Sequence, residues 1–156
     1  MYRFACILLG LCLLTSCSVR STSPVVSGFR CRVECSLEGV SVAAELDRTD
    51  PAKTTLTFSQ PQELQGLTML YDGQTVRLEY LGVEMDVPAA YLPQCSVIRT
   101  LADALNAATA SHAPTQAGGL VFDEESGLPR SLVIDEPPMT FFFSDWELPL
   151  ISTNKR

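Results

Sequence analysis

The chain has 156 residues, 46% of them hydrophobic, with 18 acidic side chains against 11 basic ones and a formal charge of −7. That length suits one domain able to close a real core. The acidic balance argues against nucleic acid or an anionic membrane surface as the main partner.

The chain begins with a short basic start, Met1-Tyr2-Arg3, followed by an uninterrupted apolar run from Phe4 to Leu14. That run falls well short of the roughly 20 residues that span a bilayer. A basic start, an apolar middle and small residues at the exit (Thr15, Ser16) have the proportions of an export signal, so residues 1–16 are expected to play no part in the fold. Leu14-Thr15-Ser16-Cys17 resembles the lipobox of bacterial lipoproteins, in which a diacylglyceryl thioether forms on the cysteine and cleavage occurs just before it. The resemblance implies that Cys17 opens the mature protein as its lipid anchor. Two or three acyl chains on one residue meet the multiple-anchor condition for stable attachment, each buried methylene contributing about 0.8 kcal/mol. The implied location is extracytoplasmic, on the cell membrane. Ser18 follows Cys17 in place of the aspartate that retains such proteins at an inner membrane, which leaves the outer membrane open if the cell is Gram-negative.

Residues 17–27 (CSVRSTSPVVS) read as the anchor and a Ser/Thr-rich tether. From there the period is two. In Phe29-Arg30-Cys31-Arg32-Val33-Glu34-Cys35 apolar residues alternate with charges, and Val40, Val42, Ala44 and Leu46 repeat the pattern, with Leu37-Glu38-Gly39 as the hairpin between them. Asp47 to Lys53 is a turn-rich break. Strands are expected at Thr54–Ser59, Leu64–Tyr71 and Thr75–Tyr80, the last two joined through Asp72-Gly73, with Gly82–Asp86 able to extend the meander.

The period then becomes helical. Over Ser96–Ala110, Val97, Ile98, Leu101, Leu105 and Ala108 share one face, with Ser96 as the expected N-cap. After a loop from Ser111 to Gly119, strands are expected at Leu120–Phe122, Ser131–Ile134 and Thr140–Asp145. Asp123 to Pro129 reads as a solvated turn, because its acidic side chains lack the ligand spacing of a calcium loop. Phe141, Phe142 and Phe143 would send aromatic rings to both faces of the last strand, so both faces are expected to meet apolar surface. Residues 28–147 form the predicted domain and residues 148–156 a C-terminal tail.

Chemistry has little support. His112, the one histidine, has no partner at a metal-ligand spacing, and no nucleophile elbow, phosphate loop or dinucleotide motif occurs. No metal, cofactor, nucleic acid or enzymatic activity is expected. With Cys17 lipidated, Cys31, Cys35 and Cys95 remain. Cys31 and Cys35 lie about 13 Å apart along one strand, beyond the roughly 7 Å reach of a disulfide. Either Cys95 pairs with Cys31 or Cys35, or all three stay reduced.

A lipidated chain with a serial antiparallel meander, one covering helix and a final set of strands resembles the outer-membrane lipoprotein carrier family (LolA/LolB-like). The Asp123 turn, with Ser-Gly-Leu-Pro leading into a strand, is similar as well. The resemblance spans about residues 28–147. It implies an α+β fold: a curved antiparallel sheet of about eight strands, a half-barrel, with one main helix on its concave face. It also implies a hydrophobic ligand, such as acyl chains, held in that concavity. Phe58, Met69, Leu78, Leu101, Leu105, Phe141 and Phe143 are the candidate lining residues. Two other readings stand beside it: a protein-interaction or scaffold module of the envelope, and a thiol redox sensor built on Cys31, Cys35 and Cys95. The lipid anchor has a direct test. Cys17→Ser is expected to move the protein from the membrane to the soluble fraction, and unchanged fractionation would refute the anchor.

Overall fold

The computed structural model describes residues 28–37, 39–93, 96–111, 119–123, 125–135 and 138–148. Cys17 with its signal and tether, Cys95, His112 and the tail beyond Leu148 fall outside them. The elements in chain order are β1 (Arg30–Leu37), β2 (Val40–Asp47), β3 (Thr54–Gln60), β4 (Thr68–Tyr71), β5 (Thr75–Tyr80), β6 (Val83–Pro88), α1 (Val97–Ser111), β7 (Leu120–Phe122), β8 (Pro129–Ile134) and β9 (Met139–Glu147).

All nine strands form one open sheet in the order β6-β5-β4-β3-β2-β1-β9-β8-β7, with antiparallel neighbours throughout. The fold is thus α+β, with one strand more than expected, because Val83–Pro88 pairs fully with β5. The chain walks outward from β1 to the edge strand β6. It then crosses by way of α1 to the opposite edge at β7 and walks back until β9 pairs with β1.

Period-two patterning decides which face is buried. Cys31, Val33 and Cys35 of β1 stand across from Leu46, Ala44 and Val42 of β2, and Ala44 and Leu46 stand across from Phe58 and Leu56 of β3. This face belongs to the core. The opposite, convex face carries the charges: Arg30 pairs with Asp47, Glu45 and Glu147, and Arg77 pairs with Asp86. These are largely exposed pairs whose individual contribution to stability is small.

The helix docks by its apolar stripe. Ile98, Leu101, Ala102, Leu105 and Ala108 are buried, while Asp103 and Asn106 lie on the exposed side. Burial of Ile98, Leu101 and Leu105 contributes on the order of 6 kcal/mol, at about 2 kcal/mol per side chain. A polar contact fixes where the helix lies. Arg48, just after β2, is only 2% exposed and donates to the carbonyls of Ala102 and Pro51 and to Asn106 Oδ1. Burial lowers its pKa.

The structure departs from the sequence expectations in four places. Leu64–Tyr71 is not one strand: a 3-10 turn covers Gln62–Leu64, Gly66 takes a φ of +84°, and only Thr68–Tyr71 pairs. The backbone closes this connection with Gly66 N–H donating to Phe58 O and Phe58 N–H donating to Leu67 O. Ser96 directly precedes α1, but its hydroxyl has no hydrogen-bond partner and so does not cap it. Phe142 is 57% exposed on the convex face, so only one face of β9 meets apolar surface. The fourth departure is at Asp145, whose φ is +50° in a bulge where the β1–β9 register shifts between Arg30 and Arg32. The extra residue reverses the alternation. It turns Trp146 inward, edge-on to Phe29 and stacked on Phe143.

Candidate functional site

A single helix cannot cover a sheet this wide. Nine strands at about 4.8 Å spacing span roughly 38 Å when flat, whereas fifteen helical residues extend only about 22 Å. The uncovered part of the concave face lies beside the amino end of α1, where a cavity of about 460 Å³ opens. That volume falls within the usual range for small-molecule sites.

The floor of the cavity comes from the strands. Val33, Leu56, Val76 and Phe141 line it and are fully or almost fully buried, as is Ile98 from the helix. The rim comes from the connections. Leu64 and Leu67 project from the β3–β4 turn, Leu92 and Pro93 from the segment after β6, and Val97 from the first turn of α1. These rim residues are half-buried or exposed, which marks the side on which the cavity opens. Among the described residues no charged side chain lines it, and Ser96 is the one lining residue that carries a side-chain oxygen.

Of the seven predicted lining residues, Phe58, Met69, Leu78 and Phe141 do line this cavity. Leu101 and Leu105 are packed beneath the helix instead, and Phe143 is packed with Trp146. The sequence reading missed the rim. The sequence pattern places Leu64 and Leu67 in a strand and Leu92 and Pro93 in no element. The one available signal was the density of leucine and proline in those connections.

Cys31 and Cys35 are free, buried thiols on the concave face, and Cys35 lines the cavity. The proposed pairing of either with Cys95 lies outside the described residues. Burial pushes the Cys31 thiol up to about 12 and moves Cys35 in the same direction. Redox-sensing cysteines need the opposite conditions, a low pKa and solvent access. Cys35 therefore contributes to the wall as a small apolar group.

The turn after β7 uses its own acid. Asp123 Oδ1 accepts from the backbone N–H groups of Ser126 and Glu125 and from the Ser126 hydroxyl. The bonds from Ser126, backbone first and hydroxyl second, hold its carboxyl below the usual carboxylate range. Among the described residues no cluster of His, Cys, Asp and Glu could hold a metal ion, and no helix is long and apolar enough to cross a membrane.

No protein-family model matches the chain. No curated protein matches it either. Among solved structures it is similar to a LolA superfamily protein from Nitrosomonas europaea, at 8% identity and a TM-score of 0.42, over 79% of this chain and 86% of that one.

The buried thiol makes stability depend on pH. An ordinary thiol with a pKa of 9.0 loses its proton well before the folded Cys31 does at about 12. Between those values the folded state holds more protons than the unfolded one, so stability falls as pH rises. Denaturant midpoints from pH 8 to 11 are expected to drop more steeply for the wild-type chain than for Cys31→Ala. Parallel slopes would show that Cys31 does not contribute.

Proposed function

We propose that this protein is a non-enzymatic envelope lipoprotein, tethered to the membrane through Cys17, that holds a hydrophobic ligand such as an acyl chain against the concave face of its sheet. The observation that carries this reading is the cavity of about 460 Å³, whose wall, among the described residues, is aliphatic and aromatic and carries no charged side chain. Such a wall is suited to apolar surface and has nothing to polarise a reacting bond. General acid–base or nucleophilic chemistry needs titratable groups within hydrogen-bond reach of one another. Among the described lining residues the one titratable group is the Cys35 thiol, whose pKa burial raises.

The apolar start of the chain and the cysteine at position 17 support an extracytoplasmic, membrane-attached location. The tether from Ser18 to Ser27 can reach roughly 35 Å at 3.3–3.6 Å per residue, enough to keep the cavity close to a bilayer without fixing its orientation.

Filling the cavity tests the reading. Val42 and Met69 line it and are half-buried, so larger side chains there can grow into open space without overpacking the core. The wild-type chain is expected to bind the hydrocarbon fluorophore diphenylhexatriene saturably. The Val42→Trp/Met69→Trp variant should bind it at least tenfold more weakly, with an unchanged circular dichroism spectrum. Equal binding by both would remove the cavity from the account.

A further inference from the structure

The two edges of the sheet are built differently. At one edge β7 covers only Leu120–Phe122, the kind of shortness by which natural sheets guard an edge. At the other, β6 runs over Val83–Pro88 with every residue in register with β5 and no bulge. Among the described residues no strand pairs with its outer side.

The outward backbone groups of β6 follow from its ladder. Opposed residues in an antiparallel pair alternate between hydrogen-bonded and open. Ala89 N–H donates to the Gln74 carbonyl, so counting back two residues at a time makes Val76–Val87, Leu78–Met85 and Tyr80–Val83 the bonded pairs. The two-residue turn at Leu81-Gly82, with positive φ at both, demands the same phase. Glu84 and Asp86 therefore direct their N–H and C=O groups away from the sheet. Pro88, which has no N–H, ends the row.

A row of side chains on each face accompanies these groups. Met85 stands across from Leu78, which lines the cavity, so Val83, Met85 and Val87 belong to the concave face. Val83 is 69% and Met85 54% exposed, which leaves an apolar strip uncovered along the edge. On the convex face Glu84 stands across from Glu79, and Asp86 from Arg77. Arg77 donates twice to Asp86, and among the described residues neither Glu79 nor Glu84 has an ion-pair partner. Like charges directly opposite each other are unfavourable, and a cation on the outer side of Glu84 would relieve them. The same acids oppose a second copy. Every antiparallel register of two β6 strands that joins the outward groups of Glu84 and Asp86 sets a carboxylate against a carboxylate.

We propose that β6 is a docking edge for an extended protein segment in which apolar residues alternate with Lys or Arg. The segment would extend the sheet by one strand, with its backbone bonded to Glu84 and Asp86. Its apolar side chains would cover Val83 and Met85, and its basic ones would stand opposite the two acids. The proposal uses the sheet edge and does not depend on what the cavity holds.

The test uses the full chain carrying Cys17→Ser and the fluorescence anisotropy of three labelled peptides: Ser-Val-Lys-Val-Arg-Val-Ser, its acidic counterpart Ser-Val-Glu-Val-Asp-Val-Ser, and Ser-Lys-Arg-Val-Val-Val-Ser, in which the alternation is lost. The first should bind saturably, more weakly as salt is raised, and at least about tenfold more tightly than the other two. Glu84→Gln should weaken it about twofold to fivefold, the range of one exposed ion pair. Glu84→Pro removes an outward N–H at an edge position where proline is tolerated, so its melting temperature should match the parent's while peptide affinity falls at least about tenfold. Met85→Lys changes only a largely exposed side chain and should produce a comparable loss. Equal binding of the basic and acidic peptides, or unchanged affinity in both Glu84→Pro and Met85→Lys, would overturn the proposal. So would a parent that sediments as a dimer and a Met85→Lys variant that sediments as a monomer, since the edge would then serve a second copy.

Discussion

The structure depends on a mismatch of widths: one fifteen-residue helix is the crossover for a nine-stranded sheet. The chain must carry the apolar stripe of α1 from the β6 edge toward the β7 edge, across a face much wider than the helix is long. Where the helix lies, Leu101 and Leu105 fill the space down to the strands and the core is closed. Where it does not reach, the strands keep the same inward-pointing aliphatic pattern with no described helix above it. The cavity is therefore a consequence of topology rather than of any special residue. Its apolar character follows from the period-two alternation that builds the rest of the sheet.

Two interactions set the position of that helix, and their magnitudes separate their roles. The hydrophobic stripe contributes several kcal/mol and drives docking, but it is non-directional and would tolerate sliding along the strands. Taking the Arg48 charge out of water costs several kcal/mol, which its bonds to three acceptors offset, so it supplies direction more than net stability. Its three acceptors belong to fixed points, two on α1 at Ala102 and Asn106 and one at Pro51. Arg48 thus selects the register of the helix and, through it, how much of the concave face stays open.

The strands were legible because alternation and turn chemistry act locally. Thr75–Tyr80 and the Asp72-Gly73 connection appear where expected, with Gly73 at a φ of +92° and Asp72 Oδ1 accepting from Gln74 and Thr75. The helix is displaced by a single residue at each end. Features set by partners distant in the sequence were not legible. Arg48 sits in a stretch that reads as a polar turn, yet its side chain meets residues more than fifty positions away. The Asp145 bulge depends on β9 pairing with β1 across almost the whole domain, and without it Trp146 could not be placed. Phe142 follows the same rule, since only the face of β9 that carries Met139, Phe141 and Phe143 belongs to the core. Four of the seven predicted residues, Phe58, Met69, Leu78 and Phe141, line the cavity, and strand parity is the signal that found them. The rim was not legible, because Leu64, Leu67, Leu92 and Pro93 lie in connections that strand parity does not describe.

That open part of the concave face is the central claim, and native mass spectrometry of the protein extracted from the cells that make it tests it most directly. The account predicts a population carrying one additional noncovalent mass in the range of a single lipid or shorter-chain amphiphile, removed by modest collisional activation. A spectrum containing only the bare lipidated chain under conditions that preserve a known lipid complex would contradict it.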